Sequence, residues 1–311
     1  MKKLALSLLG SAAGLSLAGA YGLYRYIFYS PVPGQNDDHA ILLPMSDETK
    51  ARSLALIDRM NALPYERVSA TSFDGLRLAG RYYHVRQGAP LAILCHGYRG
   101  TPSRDFCGGA EICLNAGYNV LLIEQRAHCS SEGHTITFGV NERRDCLTWT
   151  RYAVERFGPE VRILLVGISM GGGSVLMASE LPLPENVRGI LADCPFTSPR
   201  EIILDVGRHR SLPADLLWPM VALGAHLYGG FSPNAASAIE AVKHAIVPIL
   251  LIHGEADRLV PCEMGRRIAA AAPDRVELHT FPGAEHGTSY LSDTERYTRI
   301  VTDFCRRVLG E

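Results

Sequence analysis

The sequence has almost no net charge, with 31 Lys and Arg against 32 Asp and Glu and a formal charge of -1. It offers no basic stripe to grip phosphates and no acidic tail, which argues against nucleic acid or a polybasic surface partner. Its eight cysteines, Cys95, Cys107, Cys113, Cys129, Cys146, Cys194, Cys262 and Cys305, include no C-x-x-C pair and no Cys/His zinc spacing. A structural metal is therefore not expected. Several of these thiols sit in apolar runs, Cys95 after Leu91-Ala92-Ile93-Leu94 for instance, and read as small core hydrophobes. Cys107 and Cys113 are the only close pair. No internal repeat is visible. What is present is apolar: 47% hydrophobic against 20% charged residues lets 311 residues bury one large core, so a single globular domain is expected.

The N-terminus reads separately. Lys2 and Lys3 precede an apolar stretch from Leu4 to Tyr24, the length a helix needs to cross a bilayer. Residues 1-29 are thus expected to be a membrane anchor outside the core, with Tyr24, Tyr26, Phe28 and Tyr29 as an interfacial aromatic belt and the remaining chain outside the cytoplasm. Ala18-Gly19-Ala20 leaves a cleaved signal peptide, and hence secretion, as the alternative. Free thiols sit more comfortably in a reducing compartment, in tension with that location. Residues 30-45, rich in proline, glycine and polar side chains, read as a linker. Folded structure is expected over 46-311, opening with an amphipathic helix from Asp47 to Leu63.

Arg67 to His84 reads as two extended runs turning at Asp74-Gly75. Short apolar runs then alternate with helical stretches: Leu91 to Cys95, Asn119 to Glu124, Val161 to Val166, Val187 to Asp193, Val247 to His253 and Val276 to Phe281. That alternation predicts an α/β fold, a mostly parallel sheet with helices on both faces. Glu142 to Phe157, Glu263 to Ala272 and the chain end around Tyr297 to Val308 have helical period. One interval, about 195-244, is too long for a single crossover and reads as an apolar helical cap inserted over the ligand crevice.

Gly167-Ile168-Ser169-Met170-Gly171 lies between a strand and a helix-like run, the setting in which a strained turn pushes a serine hydroxyl into a cleft. Serine is a poor nucleophile at neutral pH, so a histidine held by a carboxylate must take its proton. His286 follows the last strand and Asp257 follows the strand before it, giving the order Ser169, Asp257, His286. Glu255 and, more weakly, Glu285 are rival carboxylates. A developing oxyanion needs backbone donors already in place, and Met170 after the serine and Tyr98 in His96-Gly97-Tyr98-Arg99-Gly100 are the candidates. Arg126 and His128 read as loop-stabilising and Asp193 as structural.

Together, His96-Gly97-Tyr98-Arg99-Gly100, Gln125-Arg126-Ala127-His128-Cys129-Ser130, Gly167-Ile168-Ser169-Met170-Gly171, Asp257 and His286 resemble the α/β-hydrolase superfamily over about residues 65 to 310. Within it the chain resembles membrane-anchored bacterial hydrolases of the serine aminopeptidase-like and Bem46-like groups. Where those relatives read Asp-x-Arg-x-His-Gly-x-Ser, this chain has Glu124 for the acidic residue and Cys129 for the glycine. The resemblance implies an acyl-enzyme on Ser169, with His286 as base then acid, Asp257 as orienter and no organic cofactor. The expected activity is hydrolysis of a carboxylic ester or thioester with an apolar, small-molecule or lipid-like acyl part. Peptidase or amidase activity is the nearest alternative, and a non-catalytic membrane-tethered binding protein a further one.

Overall fold

A computed structural model describes residues 2-31, 38-40 and 46-310, the side chains of residues 2-13 and 15 excepted. In chain order the elements are α1 (Lys2–Ile27), α2 (Asp47–Ala62), β1 (Glu66–Thr71), β2 (Arg77–Tyr83), β3 (Leu91–Cys95), α3 (Pro102–Asn115), β4 (Asn119–Glu124), α4 (Glu142–Phe157), β5 (Ile163–Ile168), α5 (Met170–Ala178) and β6 (Val187–Asp193). There follow α6 (Pro199–His209), α7 (Ala214–Gly229), α8 (Ala238–Ala241), β7 (Ile249–Gly254), α9 (Cys262–Ala271), β8 (Val276–Phe281), α10 (Ser289–Ser292) and α11 (Thr294–Leu309). The eight strands form one sheet in the order β1-β2-β4-β3-β5-β6-β7-β8. β1 and β2 pair antiparallel, as β2 and β4 do, and every other pair is parallel. The expected mostly parallel sheet wrapped by helices is what the chain forms.

Buried on both faces, β3 and β4 have no exposed residue, which is why they read as unbroken apolar runs. Alternate side chains serve opposite faces. Ile93 and Cys95 join Trp149 of α4, Leu176 of α5 and Ile268 of α9, while Ala92 and Leu94 join Phe106 of α3 and Val301 and Phe304 of α11. Two strands start later than expected. Val161 is held in the turn after Gly158 (φ 91°), its N–H donating to the Gly158 carbonyl at 3.2 Å, and Pro248 has no N–H to place in the sheet before Ile249.

The reading of residues 1-29 as lying outside the core is corrected by the packing of α1. Tyr24 and Phe28 sit four apart on one helix face and are both buried. Phe28 meets Phe138 and Phe231 edge-on at 5.9 and 5.2 Å. A buried phenylalanine is worth ~1.5–3 kcal/mol, which favours keeping this end of the helix on the domain. Of the supposed aromatic belt, only Tyr26 is largely exposed, and Tyr29 stacks on His134. Higher up, α1 lies against α7, where Gly19 faces Met220 and Gly224 faces the Ala20 carbonyl. Among the described residues no helix is long and apolar enough to cross a membrane. Most of the expected linker, residues 32-37 and 41-45, lies outside the described residues; the part before it is tied down, Ser30 N–H donating to the His134 carbonyl at 2.9 Å.

Candidate active site

Backbone strain collects at the carboxyl ends of four neighbouring strands. Arg99 after β3, Ala127 and Cys129 after β4, Ser169 after β5 and Cys194 after β6 all have φ between 44° and 61°, a region that costs a non-glycine residue about 1–3 kcal/mol. Ser169 takes φ 55°, ψ -117° at the head of α5. The flanking glycines are there because nothing larger fits: a Cβ on Gly167 would strike the Gly171 carbonyl, and one on Gly171 would strike the Cys95 carbonyl.

This turn presents the Ser169 hydroxyl to His286, Oγ to Nε2 being 2.8 Å. On the other side of the ring, Nδ1 lies 2.7 Å from Asp257 Oδ2. An ionised carboxylate only accepts, so Nδ1 carries the proton and Nε2 is left to accept from the serine. The second Asp257 oxygen accepts from the N–H groups of Leu259 and Val260 at 2.9 and 2.8 Å. Burial works to raise the Asp257 pKa, but His253, His286 and the Val260 N–H outweigh it and hold the carboxyl down at about 2. Asp257 therefore stays charged wherever the ring could need it. The rival carboxylates face elsewhere: Glu255 is exposed and accepts from Thr280 at 2.7 Å, and Glu285 is exposed.

Of the two oxyanion candidates, Met170 opens α5, so its N–H has no carbonyl within the helix. Tyr98 sits in the loop after β3, which is braced from below by two histidines the sequence had not marked as a pair. His128 Nε2 accepts the Arg99 N–H at 3.0 Å while its Nδ1 donates to the Arg126 carbonyl at 2.8 Å. His96 Nδ1 donates to the Gly97 carbonyl at 2.9 Å and its Nε2 accepts the Gln125 N–H at 3.1 Å. Both bonding patterns need neutral rings, and burial lowers the His96 pKa to about 4 and the His128 pKa to about 3. The loop-stabilising reading of Arg126 and His128 fits these contacts: Arg126 is buried and paired in two-pronged fashion with Asp145 at 2.6 and 2.8 Å. Glu124 fills the acidic position of the same loop, accepting from the Ser130 N–H at 2.7 Å.

Two residues gain neighbours that sequence reasoning missed. Cys194 brings its Sγ to 3.9 Å from His286 Nε2, and Asp193 accepts from the Tyr297 hydroxyl at 2.9 Å. The signal available was Asp193-Cys194-Pro195 closing a strand beside the nucleophile. Among the described residues one group has ligand atoms close enough for a metal ion, Cys194, Asp257 and His286, within 4.8 Å of one another. The carboxylate and imidazole of that group are already engaged in the chain of hydrogen bonds to Ser169. None of the eight cysteines is in a disulfide, and all but Cys107 are buried.

A cavity of about 670 Å³ opens in front of Ser169 and His286. Ile202, Val206, Trp218 and Val221 from the inserted helices form one wall, and Leu23 and Ile27 of α1 another. A mainly apolar pocket of this size beside a hydroxyl bonded to a histidine suits attack on a carbonyl carrying a hydrocarbon group.

Likeness to known proteins agrees with this geometry. The protein YqkD of Bacillus subtilis is 24% identical over 246 residues, covering 77% of this chain and 80% of its own. A bifunctional esterase/perhydrolase of Acinetobacter calcoaceticus is 25% identical over 282 residues, covering 76% of this chain and 98% of its own. An esterase of Pyrococcus furiosus has the same fold, with a TM-score of 0.67 at 22% identity over 81% of this chain and 93% of that one. Residues 132–311, from the loop after β4 to the chain end and so including Ser169, Asp257 and His286, match the prolyl oligopeptidase family. With more than half its length in that match and an α/β sheet carrying the site, the chain belongs to the prolyl oligopeptidase family and is a hydrolase of the α/β-hydrolase fold.

Proposed function

We propose that the protein is a serine hydrolase that cleaves a carboxylic ester or thioester with an apolar acyl group, through an acyl-enzyme on Ser169. The carrying observation is the unbroken hydrogen-bonded chain Ser169 Oγ, His286, Asp257 facing an apolar cavity. His286 takes the hydroxyl proton as Oγ attacks the carbonyl carbon, and Asp257 stabilises the imidazolium that results. The Met170 and Tyr98 N–H groups receive the oxyanion. His286 then returns its proton to the leaving alcohol or thiol, and water attacks the acyl-enzyme by the same steps reversed. The N-terminal apolar stretch, with Lys2 and Lys3 ahead of it, supports attachment at a membrane surface with the domain outside the cytoplasm, and flotation of the full chain with liposomes tests the attachment.

A second reading, peptidase or amidase, is favoured by the family match. The apolar character of the cavity favours the ester. Turnover of p-nitrophenyl esters from acetyl to dodecanoyl is measured beside aminoacyl and prolyl p-nitroanilides. Ester turnover with kcat/KM rising with chain length supports the first reading; anilide turnover with inert esters overturns it.

A further inference from the structure

The C-terminal half of α1 ends against the oxyanion loop. A helix leaves its last carbonyls without partners inside the helix. Here the loop after β3 satisfies two of them: the Tyr98 hydroxyl donates to the Ile27 carbonyl at 2.7 Å, and Arg99 Nη2 donates to the Tyr26 carbonyl at 2.9 Å. The Tyr98 ring meanwhile stacks on Phe138 at 4.9 Å. Arg99 is held from below by His128 and has φ 51°, so the loop is strained and pinned on two sides. The same helix walls the cavity with Leu23 and Ile27 and crosses α7 closely at Gly224. Arg210, at the end of α6, reaches the Tyr26 hydroxyl.

From these contacts we propose that α1 is a working part of the active site, and that the Tyr98 side chain is a positioning residue that sets the oxyanion loop from the end of that helix. The segment that reads in sequence as an anchor or leader thus links three things: the cap helix α7, the acyl cavity and the donor opposite Met170. Displacing α1 lets the Tyr98 N–H drift from the place where negative charge develops, and a shift of about 1 Å there costs up to about 100-fold in rate. The same displacement opens one wall of the cavity. The proposal rests on the serine-hydrolase reading of Ser169.

Two substitutions in the full chain test it. Tyr98→Phe keeps the ring on Phe138 and removes the hydroxyl with its bond to Ile27 and its contact with the Arg99 side chain. Gly224→Ile places a side chain against the Ala20 carbonyl and lifts α1 from α7. Each protein is assayed for p-nitrophenyl acetate and decanoate hydrolysis, for the rate of Ser169 labelling by a fluorophosphonate, and for its unfolding midpoint. Tyr98→Phe is expected to lower kcat for acetate about tenfold with KM within twofold, and to slow labelling in the same ratio, because the phosphonyl oxygen uses the same donors. Gly224→Ile is expected to do this and also to raise KM for decanoate several-fold. A lowered unfolding midpoint with wild-type labelling and kcat in Tyr98→Phe means a merely structural contact and overturns the proposal, whether or not Gly224→Ile folds. If the wild type labels but turns over no ester, the ester reading fails and the labelling ratio alone decides this one. A wild type that resists labelling overturns both.

Discussion

At Ser169 the main chain is held in a conformation that a serine does not choose, and its neighbours are chosen to permit it. Gly171 has no room for a methyl group against the Cys95 carbonyl, so Gly171→Ala is expected to abolish soluble, labelled protein, as seen by expression and fluorophosphonate labelling. Asp257 carries the next residue-scale expectation. It fixes the proton on His286 Nδ1, and an amide in its place offers a donor where the ring needs an acceptor. Asp257→Asn should therefore keep the fold and lower kcat about 10³–10⁴-fold, measured by steady-state hydrolysis beside an unchanged circular dichroism spectrum. The three residues were legible because their chemistry is tied to chain order and to strand ends. Cys194 was not, since its closeness to His286 depends on which strands become neighbours. Cys129 shows the same limit: its φ of 47° explains why relatives place a glycine there, but the sequence alone showed only the substitution.

The elements around the site are braced by buried polar groups, and these set its response to acid. Neutral in the folded chain, His96 and His128 have pKa values of about 4 and about 3, below the ordinary 6.5. Between those values the unfolded chain binds more protons than the folded one, so stability is full above pH ~6.5 and falls as pH drops towards 4 and below. His128→Asn should be less stable at pH 7 yet lose less on acidification from pH 6.5 to 4, by denaturant titration at each pH; a wild-type slope would show that His128 does not titrate in this way. Arg126 closes a second brace, joining the loop after β4 to Asp145 of α4 and Asp74 of the β1-β2 turn. Removing it as Arg126→Leu leaves Asp145 buried without its partner and is expected to cost about 3–5 kcal/mol, measured by the same titration. Element positions were largely readable: β3, β4, β6, β8 and α4 have the ends that alternation and helical period indicate. α3 escaped, although Thr101 caps it with its hydroxyl on the Arg104 N–H at 3.2 Å and Pro102 opens it. Its two glycines and mixed polarity hid the period. α1 was legible as a helix but its packing on the domain was not, because an apolar helix face looks the same whether lipid or protein covers it.

For the molecule as a whole, the sheet gathers the strand ends, the insertion after β6 closes over them, and α1 completes the enclosure. The size of the resulting cavity, about 670 Å³, exceeds what a short acyl group fills. Val221→Trp, on the cap wall, should raise KM for long esters several-fold while leaving acetyl ester turnover within twofold, as read from the p-nitrophenyl series. The mostly parallel sheet followed from the rhythm of apolar runs. The cavity did not, because its walls come from α1, α6 and α7 together, and the meeting of segments 180 residues apart is a property of packing rather than of any local pattern. Ser169 is the proposed nucleophile, and the most direct measurement is mass spectrometry of the full chain and of Ser169→Ala after fluorophosphonate treatment, with ester turnover followed in parallel. One adduct on the peptide containing Ser169, absent together with turnover in the variant, is the expected result. An adduct elsewhere, or turnover that survives the substitution, would contradict it.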